Sequence, residues 1–263
     1  MKSVDNFIRT VEKLRSPNGC PWDKEQTHKT LKRYLIEEAY EAIDAIENND
    51  LKALMEELGD VLLQVVLHAQ IAKENKKFSF DDLVNRINRK MISRHPHVFG
   101  NKKVKNTNEV LINWEKLKKE EKPERKNIFH GIPKSLPALL KALKVSKKAS
   151  RSGFDWDTKS NLWKSFKSEF REFEIAAAKG NKNKKAEELG DLLFMAVNIA
   201  RWYKLEPEEC LNKGIKKFIN RYNIVEKLLS GKDKNKISTK ELSLIWEKVK
   251  KLEKIKVRGY NKP

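Results

Sequence analysis

Two groups of acidic residues recur along this chain with the same internal spacing. The first group consists of Glu37, Glu38, Glu41, Glu57 and Asp60, and the second of Glu169, Glu172, Glu188 and Asp191. The interval from Glu41 to Glu57 equals the interval from Glu172 to Glu188. Carboxylates gathered at close range repel one another, and a divalent cation relieves that repulsion. The pattern therefore predicts two metal-binding modules, or the remains of two.

Helix geometry explains how each group could converge. Residues three or four apart on a helix lie on one face, so Glu38 stacks with Glu41 and Glu57 stacks with Asp60. The short polar turn 48–50 requires the two helices to be adjacent and antiparallel. A single exposed Glu is more simply explained by pairing with Lys, but that explanation does not account for a repeated pattern. Mg²⁺, which takes oxygen ligands and often shares them with substrate phosphates, is the predicted cofactor.

The acidic groups belong to a longer internal repeat. Residues 51–70 and 182–201 both place the sequence EELGD before an apolar run with helical spacing. Further along, Lys90 and Arg94 align with Lys217 and Arg221, and Trp114 aligns with Trp246. Four matches in the same order predict two related modules.

The apolar spacing predicts an all-α fold of two tandem four-helix modules, which we expect to dimerise. No period-2 strand pattern stands out. The predicted helices cover 26–48, 51–73, 79–95 and 107–121 in the first half, and 159–179, 182–203, 207–229 and 239–252 in the second. Prolines and a glycine between residues 122 and 137 mark a boundary. The predicted domains are 1–122 and 146–263, joined by a linker over 123–145.

Basic and aromatic residues provide candidate ligands for a nucleotide. Lys90 with Arg94, and Lys217 with Arg221, lie four apart on their helices, and such pairs commonly bind polyphosphates. An ordinary basic helix face is the competing explanation, and the match between the halves favours the phosphate role. Trp114 and Trp246 could stack on a base, although an isolated Trp more often packs in a core.

The composition narrows the class of protein. The chain has 263 residues and a net charge of +20, which suggests an anionic partner such as nucleic acid. The lysines are scattered, however, so a solvated basic surface is the preferred explanation and nucleic acid is an unlikely partner. No apolar run is long enough to span a membrane, and the N-terminus lacks the apolar core of a signal peptide. Two cysteines do not make a disulfide framework, so we expect a cytoplasmic protein.

Several motifs together resemble the MazG family of nucleoside triphosphate pyrophosphohydrolases. They are CPWD at 20–23, EQTH at 25–28, LIEEAYEAIDAI at 35–46, EELGD in both halves, SRHPHVFG at 93–100 and GFDW at 153–156. The resemblance covers nearly the whole chain. It implies an all-α, usually dimeric enzyme that uses Mg²⁺ to cleave a nucleoside triphosphate into the monophosphate and pyrophosphate.

The resemblance also implies roles for particular residues. The implied metal ligands are Glu38, Glu41, Glu57 and Asp60 in the first half, and Glu169, Glu172, Glu188 and Asp191 in the second. Our own prediction from the residues and their repeat adds the catalytic residues Glu169 and Glu172. The predicted substrate-binding residues are Glu187, Lys217, Arg221 and Trp246, together with Lys90, Arg94 and Trp114.

The two halves are not equivalent. Ser168 stands where Glu37 stands in the first half, so the second group lacks one acid. The resemblance nevertheless favours the C-terminal half as the catalytic one, while the complete acidic set favours the N-terminal half. Two other hypotheses are a basic helical protein that binds nucleic acid with decayed acidic sites, and a helical partner protein whose repeat serves only dimerisation.

Overall fold

The fold is helical throughout the part of the chain that can be described. The computed structural model describes residues 2–121, 127–230 and 237–260, apart from the side chains of 108, 115, 119 and 252–260. No strand occurs in these ranges, and the predicted all-α class is confirmed. None of the helices in these ranges has the length and apolar character needed to cross a membrane. The chain divides into two compact units, residues 1–122 and 123–263.

In its described residues the N-terminal unit contains the four predicted helices, the first of which begins at Lys32 and not at residue 26, and three helices that were not predicted. Its helices are α1 (Lys2–Leu14), α2 (Pro21–Glu25), α3 (Lys32–Glu47), α4 (Leu51–Glu74), α5 (Phe80–Arg94), α6 (Pro96–Phe99) and α7 (Thr107–Glu120). The most extensive packing in this unit is between α3 and α4. These two helices carry the first acidic group.

The turn between α3 and α4 is fixed by two residues. Asn49 adopts a left-handed conformation with φ of 55°, which reverses the chain directly after α3. Asp50 then caps α4, because its carboxylate accepts hydrogen bonds from the backbone N–H groups of Lys52 and Ala53 at 3.1 and 3.0 Å. The predicted short connection therefore holds the two helices side by side.

The unpredicted helix α1 is tied to the far end of α4 by a buried arginine. The Arg15 side chain is only 6% exposed, and its Nη2 lies 2.7 Å from Oε2 of Glu74. Its Nη1 also donates to the backbone carbonyls of Asp23 and Gln26. Val11 of α1 enters the core that α4 builds, so α1 is part of the unit's core.

The C-terminal unit repeats the arrangement with five helices in its described residues. They are α8 (Ala138–Arg151), α9 (Lys159–Lys179), α10 (Lys182–Trp202), α11 (Pro207–Leu228) and α12 (Thr239–Tyr260). The closest packing is again between the pair that carries the acidic group, α9 and α10. Asn181 caps α10 by accepting a hydrogen bond from the Lys184 N–H at 3.0 Å.

The predicted linker is partly helical. Residues 138–145 lie in α8, which packs against α10 and α11, and Leu143 is buried there. The prolines do not prevent this helix, because Pro137 lies at its N-cap, where no helical N–H is required. The second unit therefore begins well before residue 146. Residues 122–126, where the boundary between the units falls, lie outside the described residues.

A polar network holds α8 against α10. Arg201 of α10 pairs with Asp155, with Nη2 2.5 Å from Oδ1, and its Nε donates to Oγ of Ser146 at 2.6 Å. Ser146 in turn donates to Oδ1 of Asn198 at 2.6 Å. Arg15 and Arg201 thus each join helices within their own unit, although Arg15 lies in the turn after α1 and Arg201 lies within α10.

Both units leave large apolar side chains in contact with solvent. In the N-terminal unit Leu51 is 78% exposed and Met55 is 74% exposed. Other exposed apolar residues are Ile36, Ile43, Ile46 and Leu58 in the N-terminal unit, and Ile175, Leu193, Leu211 and Ile219 in the C-terminal unit. Exposed apolar side chains of this size are candidates for contact with another protein surface.

Candidate metal and nucleotide sites

The first acidic group converges as its spacing predicted. Glu38 and Glu41 of α3 and Glu57 of α4 each offer a carboxylate oxygen, and these oxygens all lie within 4.8 Å of one another. Glu38 and Glu57 are half-buried, whereas Glu41 is exposed. We call these three residues with Asp60 the N-terminal cluster.

The electrostatics of this cluster indicate unbalanced negative charge. Partial burial raises the pKa of Glu38 above its ordinary value, and the charges of Asp60 and Glu41 raise it further. Burial and the charge of Glu41 likewise raise the pKa of Glu57. Asp60 lies outside the tight group of oxygens but close enough to act on Glu38. The cluster would be stabilised by a bound cation.

The second acidic group converges in the same way. Glu169 and Glu172 of α9 and Glu188 of α10 offer oxygens within 4.8 Å of one another. Glu188 is buried, with 5% of its surface exposed. Burial and the charges of Glu172, Asp191 and Glu188 raise the pKa of Glu169. These four residues form the C-terminal cluster.

Two neighbouring side chains distinguish the C-terminal cluster from the N-terminal one. The Lys184 ammonium lies 2.6 Å from Oε1 of Glu188 and 3.2 Å from Oε2 of the exposed Glu187. Ser168 donates a hydrogen bond to Oε1 of Glu172 at 3.1 Å. In the repeat, Lys184 aligns with Ala53 and Ser168 with Glu37.

Both clusters have the ligand set of a hard divalent cation. Such ions take carboxylate oxygens, and for Mg²⁺ at about 2.1 Å neighbouring ligand oxygens lie roughly 3 to 4 Å apart. Three oxygens within 4.8 Å, drawn from two facing helices, fit that requirement. Bundle proteins build carboxylate metal sites from facing helices in the same manner.

The predicted basic residues of the N-terminal unit differ in their surroundings. Lys90 is exposed on α5. Arg94 is 7% exposed, and its guanidinium forms a two-pronged ion pair with Glu121, whose pKa it lowers through hydrogen bonds. The guanidinium also lies 5.7 Å from the centre of the Trp114 ring, which packs edge-on against His95. In this arrangement Arg94 and Trp114 connect α5 to α7, and their phosphate and base contacts remain predictions.

The corresponding residues of the C-terminal unit lie among aromatic side chains. Lys217 is exposed on α11 and Arg221 is half-buried one turn later. Trp246 of α12 packs against the buried core of that unit, and its ring centre lies 5.3 Å from that of Phe218. Phe218 stacks on Tyr222 at 6.2 Å, and both are about half exposed.

Phe218 and Tyr222 were not predicted as functional candidates. Their signal was available, because Phe218 and Tyr222 lie four residues apart, each directly after one of the cations Lys217 and Arg221. The aligned positions of the first half hold Met91 and His95, so the stacked pair of phenyl rings has no counterpart at those positions. A base can stack on such a surface.

Comparison with known proteins places the chain in a family. The model of the MazG nucleotide pyrophosphohydrolase domain matches it twice, at residues 26–99 and 157–225. The chain belongs to this family. The predicted family and the predicted enzyme class, a nucleoside triphosphate pyrophosphohydrolase, are confirmed.

Individual relatives match along nearly the whole chain. The nucleoside triphosphate pyrophosphohydrolase of Escherichia coli (strain K12) is 39% identical over 260 residues, covering 96% of this chain and 99% of the relative. The nucleoside triphosphate pyrophosphohydrolase/pyrophosphatase MazG of Thermotoga maritima is 40% identical over 249 residues, covering 94% and 95%. YabN of Bacillus subtilis is 46% identical over 253 residues, which is 94% of this chain but 52% of YabN.

Proposed function

We propose that the C-terminal unit hydrolyses nucleoside triphosphates to the monophosphate and pyrophosphate. The observation that carries this proposal is the convergence of Glu169, Glu172 and Glu188 on the helix pair α9–α10. The neighbouring helix α11 packs on α10 and carries Lys217 and Arg221 beside exposed aromatic rings. The N-terminal unit has a matching cluster but holds Met91 and His95 at the positions of Phe218 and Tyr222.

The cofactor that we propose is Mg²⁺, held by Glu169, Glu172, Glu188 and Asp191. When bound there, it would supply charge neutralisation for the phosphates and acidify water. Glu169 is the proposed general base, because its carboxylate oxygen converges with those of Glu172 and Glu188, where an ion would hold the attacking water. Glu172 is the proposed second catalytic carboxylate and orients that water.

The cations of α11 determine which bond is cleaved. Lys217 and Arg221 are proposed to bind the β- and γ-phosphates, so that water attacks the α-phosphorus and pyrophosphate leaves. Trp246, with Phe218 in contact, is proposed to line the base pocket. Glu187 remains a proposed nucleotide contact next to the cluster.

The N-terminal cluster is proposed as a second Mg²⁺ site, formed by Glu38, Glu41, Glu57 and Asp60. The nucleotide contacts proposed for that unit are Lys90, Arg94 and Trp114. For Arg94 this role requires release from Glu121, with which it pairs in the structure. The C-terminal unit is therefore the better candidate for catalysis.

We further propose that the protein is a homodimer that works in the cytoplasm. The exposed apolar side chains of both units are the support for dimerisation, because a second copy would cover them. Cys20 and Cys210 are both free thiols, as expected in a reducing compartment. Sedimentation equilibrium measures the stoichiometry, and a monomer at micromolar concentration contradicts the dimer.

Product analysis of matched variants tests the activity. Glu172→Gln should abolish Mg²⁺-dependent pyrophosphate release from a nucleoside triphosphate, while Glu41→Gln should retain it. Glu174→Gln, an exposed position on the same helix as Glu172, is the control and should behave as the wild type. Release of orthophosphate and the diphosphate would contradict the proposed bond, and loss of activity in Glu41→Gln alone would assign catalysis to the other unit.

A further inference from the structure

The C-terminal cluster contains a cation of its own. The Lys184 ammonium lies 2.6 Å from Oε1 of Glu188, a buried carboxylate that is also a proposed metal ligand. The same carboxylate supplies one of the three oxygens that converge within 4.8 Å. An ion that uses this oxygen must therefore compete with the lysine.

Local helix physics does not favour a lysine at this position. Lys184 lies in the first turn of α10, directly after the Asn181 cap, where the helix dipole disfavours positive charge. In addition, a Lys four residues before a Glu is the weaker of the two orientations for a helical ion pair. The ammonium is nevertheless close to the cluster, where its favourable interactions are with Glu188 and Glu187.

The first half of the chain provides the comparison. Ala53 occupies the position of Lys184, and its N–H is capped by Asp50 in the same way. With every group ionised, the N-terminal set of Glu37, Glu38, Glu41, Glu57 and Asp60 has five carboxylates and no cation, a formal charge of −5. The C-terminal set of Glu169, Glu172, Glu188, Asp191 and Lys184 has four carboxylates and one ammonium, a formal charge of −3.

From this difference we infer that Lys184 is an internal counter-ion that a divalent metal must displace from Glu188. Without nucleotide, the C-terminal cluster therefore binds metal more weakly than the N-terminal cluster. This inference rests on the proposed function, because it assumes that both clusters are metal sites. The metal would then reach the C-terminal cluster mainly together with the nucleotide, whose phosphates add ligands and negative charge. Lys184 would thus give the two clusters different affinities for the metal.

Titration of the full chain with Mn²⁺ in the absence of nucleotide tests this inference, with the free ion followed by its paramagnetic resonance signal. The double variant Glu41→Gln/Glu57→Gln removes two ligands of the N-terminal cluster, so the remaining Mn²⁺ binding reports on the C-terminal cluster. In that background Lys184→Ala should tighten Mn²⁺ binding about fivefold, which corresponds to the upper end for a solvent-accessible ion pair. Lys185→Ala removes the same charge from the next, exposed residue and should leave the affinity within twofold.

The reciprocal change provides a second test. In a Glu172→Gln/Glu188→Gln background, Ala53→Lys should weaken Mn²⁺ binding to the N-terminal cluster. Equal affinities of Lys184→Ala and Lys185→Ala would overturn the role of Lys184 and leave the proposed function intact. Absence of any saturable Mn²⁺ binding in the Glu41→Gln/Glu57→Gln background even when Lys184→Ala has removed the counter-ion would overturn both.

Discussion

Ser168 donates a hydrogen bond to Glu172, with 3.1 Å between Oγ of the serine and Oε1 of the carboxylate. Glu37 occupies the aligned position of the N-terminal cluster, where its charge helps to raise the pKa of Glu38. The same position therefore adds repulsion in one cluster and a neutral hydrogen bond in the other. The C-terminal cluster is the less strained of the two when no cation is bound.

This relationship predicts the result of exchanging the residue. Ser168→Glu should lower the thermal stability of the C-terminal unit in EDTA, because a fifth carboxylate adds repulsion. The same variant should bind Mn²⁺ several-fold more tightly at that cluster. Ser168→Gln, which has a similar size and no charge, is the control. A Ser168→Glu protein with unchanged metal affinity would show that position 168 does not act on the site.

Removing the exposed cation of α11 should impair substrate use. Lys217→Ala is expected to lower kcat/KM for a nucleoside triphosphate roughly 10- to 100-fold, since a hydrogen bond between charged groups contributes about 1.5–3 kcal/mol. The change is measured from initial rates of pyrophosphate release. Lys216→Ala, the preceding exposed lysine, should alter kcat/KM less than twofold. Equal losses in the two variants would indicate a general effect of surface charge.

Arg94→Ala should act mainly on stability. The substitution removes the ion pair with Glu121, and because that carboxylate is exposed we expect a loss of about 1 kcal/mol, the upper end for a solvent-accessible pair. Chemical denaturation should show an earlier transition for the N-terminal unit, while Arg89→Ala, at an exposed arginine on the same helix, should shift the transition little.

The ion pair of Arg94 with Glu121 should also make stability depend on pH. The pKa of Glu121 is lower in the fold than in the unfolded chain. The stability that the pair contributes is therefore fully present above the unfolded pKa, and it is lost as the pH falls through the folded pKa. If Arg94→Ala leaves the transition unchanged, the ion pair has no structural role.

The N-terminal cluster should show the opposite dependence on pH. Glu38 has a raised pKa in the fold, so its ionised form destabilises the metal-free protein above that pKa and its protonation removes the penalty. Glu38→Gln should therefore raise the melting temperature in EDTA at pH 7. The difference from the wild type should shrink as the pH falls through the raised pKa.

Saturating Mg²⁺ should make the melting temperature of the wild type higher than that of Glu38→Gln, because only the wild type has the full ligand set. Glu47→Gln, an exposed position on the same helix and outside the cluster, is the control and should follow the wild type throughout. A Glu38→Gln protein less stable than the wild type in EDTA would contradict the assumed repulsion.

The sequence was sufficient to predict the helix pairs and the convergence of their carboxylates. The spacing of Glu38, Glu41 and Glu57 follows the helical period, and a turn of only three residues at 48–50 allows few arrangements of the helices that flank it. Such local signals do not depend on distant parts of the chain. The same reasoning applies to Glu169, Glu172 and Glu188.

Several of the unpredicted features depend on contacts between distant residues. The ion pair of Arg94 with Glu121 joins residues 27 apart, and α1 is fixed by Arg15 and Glu74, which are 59 apart. His28 and His68, isolated in the sequence, stack with their Nδ1 atoms 2.8 Å apart.

Lys184 was not predicted for a different reason. Its partners Glu187 and Glu188 lie three and four residues away on the same helix, but it is one basic residue among 57 in the chain. A lysine at that spacing from a glutamate is ordinary on a helix surface, so the local pattern gave no reason to select it.

The exposed apolar residues of the N-terminal unit also have a consequence during synthesis. This unit leaves the ribosome before the C-terminal unit, with Leu51 and Met55 in water even after its own core has formed. Apolar surface left uncovered at that stage promotes aggregation, and the hazard grows with the concentration of nascent chains. Slower expression at low temperature, or added chaperones, should therefore increase the yield of folded protein.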